Sequence, residues 1–461
     1  MPLSDAFSVI FTTFAVKKSA YMASKTYSKG DYKRLSERIR LAPDNVSVAD
    51  LEMLQALRVT YKEPLSTVFK VIEHAALKID RKSISTYRVK RIESIINKLS
   101  RFPEMQVQRM EDIAGCRVIM TSQDNIFELF DKIQKDIDRL PFEIKGKINN
   151  YIETPKPSGY RSLHFNVTLR DTNQRIEVQL RCLDQHYWAT MVEISDVVYR
   201  ARLKEYGEKG NSELFEFHRL LAKEDDELTA ADRRTISDIA SKYRYIERIS
   251  TIFSQNYLDV RQKWNKMRLQ KKAFFLIATT TDGVPDFEGF TNFEEAENAY
   301  FELYNANDEQ RNIVLTHLQS PSFTTISIAY SNYFLTYNRA LLRILQILTD
   351  TVTRSYQSYN MPRFVKYYRA YLDIMRTWSD NKFFEMSQLN TDENVSKSVK
   401  KRKEWIASMK SDFASVNAIT RDMNRKINRF SFRVVPYFIK HTMDAQYRRA
   451  RRREERKRQS S

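Results

Sequence analysis

Glycine and proline are scarce in this chain of 461 residues, at 8 and 11. All-β sandwiches and barrels need many turn residues, so the shortage points to a helix-rich α+β protein. Cysteine is scarcer still. Cys116 and Cys182 have no CxxC partner, and two cysteines are too few for a disulfide scaffold or a Cys-rich structural zinc site. Both thiols read as small buried hydrophobes. No apolar run reaches the ~18 residues that a bilayer span requires. The stretch 6–16 is apolar, but Lys17 and Lys18 follow it, the reverse of a secretory leader. It reads as a helix packed on a neighbour, with a membrane-surface segment as the second reading. A cytoplasmic protein with no membrane partner is expected. A Walker A loop, a GxGxxG loop and any His-Asp dipeptide are also missing. Nucleotide binding through those loops and hydrolysis of the His-Asp metal type are thereby excluded.

What is present is ample core material, with 42% apolar and 12% aromatic residues. At roughly 150 residues per domain the length predicts about three units. The net charge of +19 is unevenly placed. Residues 396–461 hold 20 Lys/Arg against 6 Asp/Glu, a net of +14, and everything before them carries +5. That basic arm reads either as a footprint for nucleic acid or as a solvated helical face, and it says little about the rest of the chain.

Periodicity predicts a capped helix at 29–40, one long helix from Ser47 through 78 and a helix from Arg88 to Ser100. A buried strand is expected at 116–120, a helix at 124–138 and a strand near 142–148. Two alternating strands, 162–169 and 174–181, are joined by the turn Asp171-Thr-Asn. Helix returns at 183–205, and charged helical sequence runs on to about 271. A small α+β stretch follows, with strands at 273–279, 312–315 and 324–328 around a helix at 292–305. The remainder reads as helical, with a polar linker at 390–398.

Four segments carry chemistry. In the predicted helix YRVKRIESIINKLSR, Lys90, Ser94 and Lys98 fall at i, i+4 and i+8 on one polar stripe, opposite Val89, Ile92, Ile96 and Leu99. Two cations and a hydroxyl there suit a triphosphate, and Arg88 just before them suits stacking on a base. In EDIAGCRVIM, Asp112 enters a buried strand and Arg117 lies inside it, a charge that needs a partner. In YIETPKPSGYRSLH, Pro155, Pro157 and Gly159 stiffen a loop that carries Lys156, Tyr160 and His164. In RIEVQLR, Ile176, Val178 and Leu180 face a core, while Arg175, Glu177, Gln179 and Arg181 face the other way. Glu177 is either a cross-strand partner of those arginines or a metal ligand and base.

In this order the motifs resemble the synthetase domain of the RelA/SpoT family: R-x-K-x-x-x-S-I-x-x-K at 88–98, D-I-x-G-x-R at 112–117, Y-I-x-x-P-K-x-x-G-Y-x-S-x-H at 151–164 and E-x-Q-x-R at 177–181. The resemblance implies an α+β fold with a mixed β-sheet flanked by helices, and transfer of the β,γ-diphosphate of ATP to a ribose 3′-hydroxyl. It also implies roles. Arg88 and Arg117 would sandwich adenine, and Lys90, Ser94, Lys98 and Lys156 would hold the phosphates. Asp112 and Glu177 would bind Mg²⁺, with Glu177 also the general base. Tyr160, His164, Gln179 and Arg181 would receive the acceptor.

Two features bear on that acceptor. Many guanosine-nucleotide synthetases of the family carry Lys-Asp where this chain has Asn149 and Asn150, which weakens the case for free GDP or GTP unless Lys145 and Lys147 substitute. The segments LDQHYWATMVEISDVV and IAYSNYF resemble the CapRel-like fused toxin–antitoxin group, where a Tyr-x-x-Tyr element blocks the ATP site; Tyr330 and Tyr333 match it. This resemblance implies a tRNA 3′ end as acceptor and a phage protein as trigger, with an alarmone synthetase acting on GDP or GTP as the alternative. The expected organisation is an N-terminal helical segment at 1–80, the synthetase at 81–205, a small α+β regulatory domain at 206–350 and a basic helical extension at 351–461.

Overall fold

The computed structural model describes residues 27–170, 174–250, 272–279, 285–305, 313–319, 323–329, 339–391, 414–429 and 434–459, with residues 264, 321, 403, 407 and 410. The stretch 6–16, the Asp171 turn, residues 392–398 of the polar linker, Tyr330 and Tyr333 lie outside the described residues.

In chain order the main elements begin with α1 (Lys29–Leu41), α2 (Val48–Val59), α3 (Lys62–Ile79), β1 (Ile84–Val89), α4 (Ile92–Arg101), β2 (Ala114–Met120) and α5 (Gln123–Asp136). Next come β3 (Phe142–Asn150), β4 (Leu163–Leu169), β5 (Arg175–Cys182), α6 (Leu183–Tyr199), α7 (Ser212–Leu221) and α8 (Ala230–Lys242). Then follow β6 (Phe274–Thr279), β7 (Pro285–Phe290), α9 (Phe293–Asn305), β8 (Ile313–His317) and α10 (Phe323–Ala329). The series ends with α11 (Arg339–Gln357), α12 (Met361–Thr391), α13 (Ala414–Asn428) and α14 (Val434–Gln459).

The described residues fall into two compact units. One comprises those of Met1–Pro155, Arg161–His186 and Asp259–Tyr333, and the other those of Lys156–Tyr160, Tyr187–Leu258 and Phe334–Ser461. The first unit is built on a single eight-stranded sheet in the order β3-β4-β5-β2-β1-β8-β6-β7. The β2–β5 pair is parallel and the other pairs are antiparallel. The expected mixed sheet flanked by helices is therefore present. The strands expected within a separate α+β stretch extend this same sheet, because β8 bonds to the free edge of β1.

Register divides the sheet into two faces. Tyr87, Val89, Cys116, Val118, Phe165, Val167, Val178 and Leu180 lie on one face and are buried in the core with Phe69 and Ile72 of α3 and Ile126, Leu129 and Ile133 of α5. Tyr87 anchors an aromatic cluster: Phe69, Phe293, Tyr300 and Phe301 all lie with ring centroids 5.3–6.4 Å from its own. Burial pushes the Cys116 thiol up to about 12 and raises that of Cys182. Cys116 is buried as expected, whereas Cys182 is only partly buried.

Several expectations need correction. The long helix 48–78 is two helices, α2 and α3, broken at Thr60–Tyr61. Pro64 explains the break: its ring would clash with the carbonyl four residues back, and it is tolerated only in the first turn of a new helix. Residues 324–328 are helical, not extended. Both neighbours of β1 are already taken by β2 and β8, and α10 packs across β1 instead of pairing in the sheet. Strand β7 was not anticipated; it is an edge strand that starts on Pro285, where a missing N–H costs nothing. The helix predicted from Arg88 begins only at Ile92. Arg88 pairs with Gly115 and Val89 with Ala114, and Lys90 N donates to Ile113 O at 2.7 Å, so residues 88–90 are extended and Val89 belongs to the sheet core.

Candidate active site

The polar face of the sheet collects the predicted residues in two cross-strand rows. Arg88, Gly115, Glu177 and Asn166 lie in register on β1, β2, β5 and β4. One step along, Thr86, Arg117, Gln179, His164 and Asn149 do the same, reaching β3. Directly opposed residues point to one side of a sheet, so register alone aligns Arg88, Arg117, Glu177, Gln179 and His164.

Glu177 sits at the centre of a hydrogen-bonded relay. His164 Nδ1 lies 3.1 Å from its Oε1, and Gln179 Nε2 donates to its Oε2 at 2.8 Å. Gln179 Oε1 in turn accepts from Arg117 Nε at 3.2 Å and from Arg181 Nη2 at 3.0 Å. Tyr151 stands edge-on to the His164 ring at 5.6 Å. Burial works to raise the Glu177 pKa, but the contacts from His164 and Gln179 outweigh it and hold the carboxyl below its ordinary value. The reading of Glu177 as a mere partner of neighbouring arginines does not hold. Arg175 pairs with Glu111, and Arg181 donates to Gln179. Gly115 explains why Glu177 fits: a Cβ there would lie 2.6 Å from the Glu177 carbonyl oxygen.

The second cluster centres on Asp112, just before β2. Lys90 Nζ donates to Oδ2 at 2.6 Å, and Lys98 Nζ to Oδ1 at 2.8 Å. The helical stripe was therefore the wrong geometry, since Lys90 lies in the β1–α4 turn, yet Lys90 and Lys98 still converge. Ser94 is half-buried on α4, one turn before Lys98. Burial of Asp112 favours its neutral form, but the two ammonium groups prevail and bring its pKa to about 2. Desolvation lowers the Lys90 pKa despite the attraction of Asp112.

Lys156 and Tyr160 belong to the second unit. There Lys156 Nζ lies 5.2 Å from the Tyr160 ring centre, and Tyr160 packs edge-on against Trp188 at 6.3 Å. The turn is closed by Gly159 N donating to Lys156 O at 2.8 Å, with Gly159 at φ +91°. A Cβ at Gly159 would come within 2.3 Å of the Ala222 Cβ, so both its backbone angle and its packing require glycine. The first unit thus brings together Arg88, Lys90, Ser94, Lys98, Asp112, Arg117, His164, Glu177, Gln179 and Arg181. Three contributors went unassigned in the sequence: Gly115, Asn166 and Tyr151. Gly115 and Tyr151 stand in the motifs at 112–117 and 151–164, and the two-residue alternation of β4 puts Asn166 on the face of His164.

Carboxylates flanked by cations are hard oxygen donors of the kind Mg²⁺ takes with one or two side chains and substrate phosphates. Among the described residues no group of three or more His, Cys, Asp or Glu could hold a metal by itself. The donor set fits an ion shared with a nucleotide.

Residues 87–204 match the family model described as a region found in RelA/SpoT proteins. The chain is similar to the GTP pyrophosphokinase YwaC of Bacillus subtilis, 35% identical over 116 residues, covering 23% of this chain and 53% of the relative. It is 31% identical over 130 residues to the GTP pyrophosphokinase YjbM of the same organism, covering 26% and 59%. The chain thus spans a little over half the length of these relatives. Among solved structures it is similar to small alarmone synthetase 1 from Bacillus subtilis bound to its product pppGpp, with a TM-score of 0.30, 21% identity, and 40% of this chain and 92% of that chain covered.

Proposed function

We propose that the chain is an ATP-dependent pyrophosphokinase that moves the β,γ-diphosphate of ATP to a ribose 3′-hydroxyl. The observation that carries this reading is the alignment of a hydrogen-bonded carboxylate, Glu177, beside a lysine-bridged one, Asp112, on the face that also presents Arg88 and Arg117. Arg88 is exposed on β1 and suits stacking on the adenine with Arg117. Lys90 and Lys98, now held by Asp112, exchange that carboxylate for nucleotide phosphates, with Ser94 completing the grip. Mg²⁺ held by Asp112 and Glu177 would neutralise phosphate charge, the main demand of phosphoryl transfer. Glu177, ionised at neutral pH, takes the proton of the acceptor hydroxyl. The freed oxygen bonds to the β-phosphorus, the bond from that phosphorus to the α,β-bridging oxygen breaks, and AMP leaves. His164, Gln179 and Arg181 receive the acceptor.

The acceptor we favour is the 3′ end of tRNA. In the acceptor row the outermost position is Asn149, and Asn150 Oδ1 is engaged with the Ile152 and Glu153 amides. Of the two cations on β3, Lys145 and Lys147, Lys145 pairs with Glu143 at 2.8 Å. Residues 206–350 would then be regulatory, with Tyr330 and Tyr333 blocking the ATP site until a phage protein releases them. In support, α10, which ends one residue before Tyr330, packs against β1, the strand of Arg88. The second reading, an alarmone synthetase using GDP or GTP, is favoured by the names of the curated relatives. Incubation with γ-labelled ATP and either tRNA or GDP/GTP separates the two. Label on tRNA supports the first, and label on GDP/GTP with none on tRNA removes it.

A further inference from the structure

The end of β1 that leads into Lys90 is completed by a helix instead of a strand. On the β2 side, Lys90 N donates to Ile113 O at 2.7 Å. Successive amides along a strand point to opposite edges, so the Val89 amide faces the β8 side. Strand β8 pairs with β1 only as far as Tyr87. The Tyr300 hydroxyl of α9 accepts from the Val89 amide at 2.9 Å and stands where a strand carbonyl would.

A second contact lies one helical turn earlier on α9. Tyr87 Oη donates to Glu297 Oε1 at 2.9 Å, and Glu297 is only 7% exposed. Burial raises the Glu297 pKa, while Tyr87, Lys62, Ser66 and Lys70 act the other way. The Tyr87 and Tyr300 rings meet edge to face at 5.3 Å. Apolar side chains would serve packing alone in this cluster. A carboxylate and a hydroxyl add direction, because each ties one donor to one place.

The two peptide units around Val89 are thus anchored on opposite edges, Arg88–Val89 by Tyr300 and Val89–Lys90 by Ile113. Arg88 and Lys90 flank these anchors, and Asp112, next to Ile113, holds the Lys90 ammonium.

We propose that α9 positions the nucleotide site: Tyr300, supported by the Tyr87–Glu297 bond, sets the backbone from which Arg88 and Lys90 reach ATP. Tyr300 and Glu297 act through β1 and are positioning residues. The inference rests on the ATP reading above and deepens it. Within the stretch 206–350, α9 then serves the synthetase directly.

The test uses the full chain carrying Tyr330→Ala/Tyr333→Ala and Glu177→Gln, which keeps the ATP site open and free of turnover. It measures ATP binding with Mg²⁺ by calorimetry, alongside thermal melting. Tyr300→Phe should bind ATP about 5-fold more weakly. Glu297→Leu should weaken binding by about 3-fold. Glu297→Gln, whose amide oxygen still accepts the Tyr87 hydroxyl, should stay within about 2-fold of the parent. Phe301→Leu loosens the same aromatic cluster and removes neither hydrogen bond. It should melt lower yet bind ATP within about 2-fold of the parent. Equal affinity in Tyr300→Phe and the parent would overturn the proposal, as would a loss in Phe301→Leu as large as that in Tyr300→Phe. A parent that binds no ATP would overturn the nucleotide reading itself and the proposal with it, a failure distinct from the other two.

Discussion

The polar face of the sheet and the outward face of α14 both gather positive charge, and they treat it in opposite ways. At the sheet, Lys90 and Lys98 are both bridged by Asp112. Arg117 is aimed by Gln179, and Gln179 also steadies Glu177. On α14, Asp444 accepts from Tyr368, and Arg448, Arg449, Arg452 and Arg453 are exposed to solvent. A half-buried site cannot hold unpaired cations cheaply, so it keeps them in place with internal anions that a substrate can replace. A solvated helix pays little for bare charge and gains reach, at the cost of salt sensitivity.

The largest effect should come from Glu177→Gln, which keeps volume and removes the base. Transfer should fall about 10²–10⁴-fold while thermal stability changes little. Because its neighbours depress the Glu177 pKa, transfer should also persist as pH drops through the ordinary glutamate range. A loss already near neutrality would break the relay account.

Gly115→Ala should come next. The added methyl meets a backbone oxygen, so β2 and β5 must part, which costs about 1–3 kcal/mol in denaturant melts and lowers transfer with it.

Asp112 sharpens the contrast through pH. Its folded pKa of about 2 lies below the unfolded value, so its contribution is fully present above about pH 4 and lost as pH falls toward 2. Asp112→Asn should therefore destabilise the protein by about 2 kcal/mol at pH 7, and the gap to the parent should narrow below pH 4. A gap that ignores pH would mean the lysine bridge contributes nothing. No comparable pH dependence should follow from removing an exposed arginine of α14.

The smallest effect concerns support from behind. Strand β8 pairs with β1 only as far as Tyr87, and the Tyr300 hydroxyl accepts the Val89 amide at 2.9 Å beyond that point. Tyr300→Phe should cost about 1 kcal/mol in stability and raise the KM for ATP modestly, through Arg88 and Lys90.

The site was more legible than the fold around it. Period-two alternation in β4 and β5 correctly faced His164, Glu177, Gln179 and Arg181 away from the core, because a strand buried on one side leaves little freedom. Periodicity failed at Arg88–Lys90, where hydrophobic residues fit a helix as well as a strand and β2 pairing decided the matter. The same limit hid the joining of β6, β7 and β8 to the sheet. Which edge a strand finds is a long-range choice that no local pattern encodes. Glu297, buried against Tyr87 at 2.9 Å, belongs to this invisible class.

The most direct test is AMP release from ATP, coupled to product labelling with tRNA or GDP/GTP, in the parent, in Tyr330→Ala/Tyr333→Ala and in each with Glu177→Gln. The account predicts AMP and labelled product in equal amounts from the uninhibited chain and loss of both in the Glu177→Gln form. Release of phosphate or pyrophosphate without labelled acceptor, or full transfer in the Glu177→Gln chain, would contradict it.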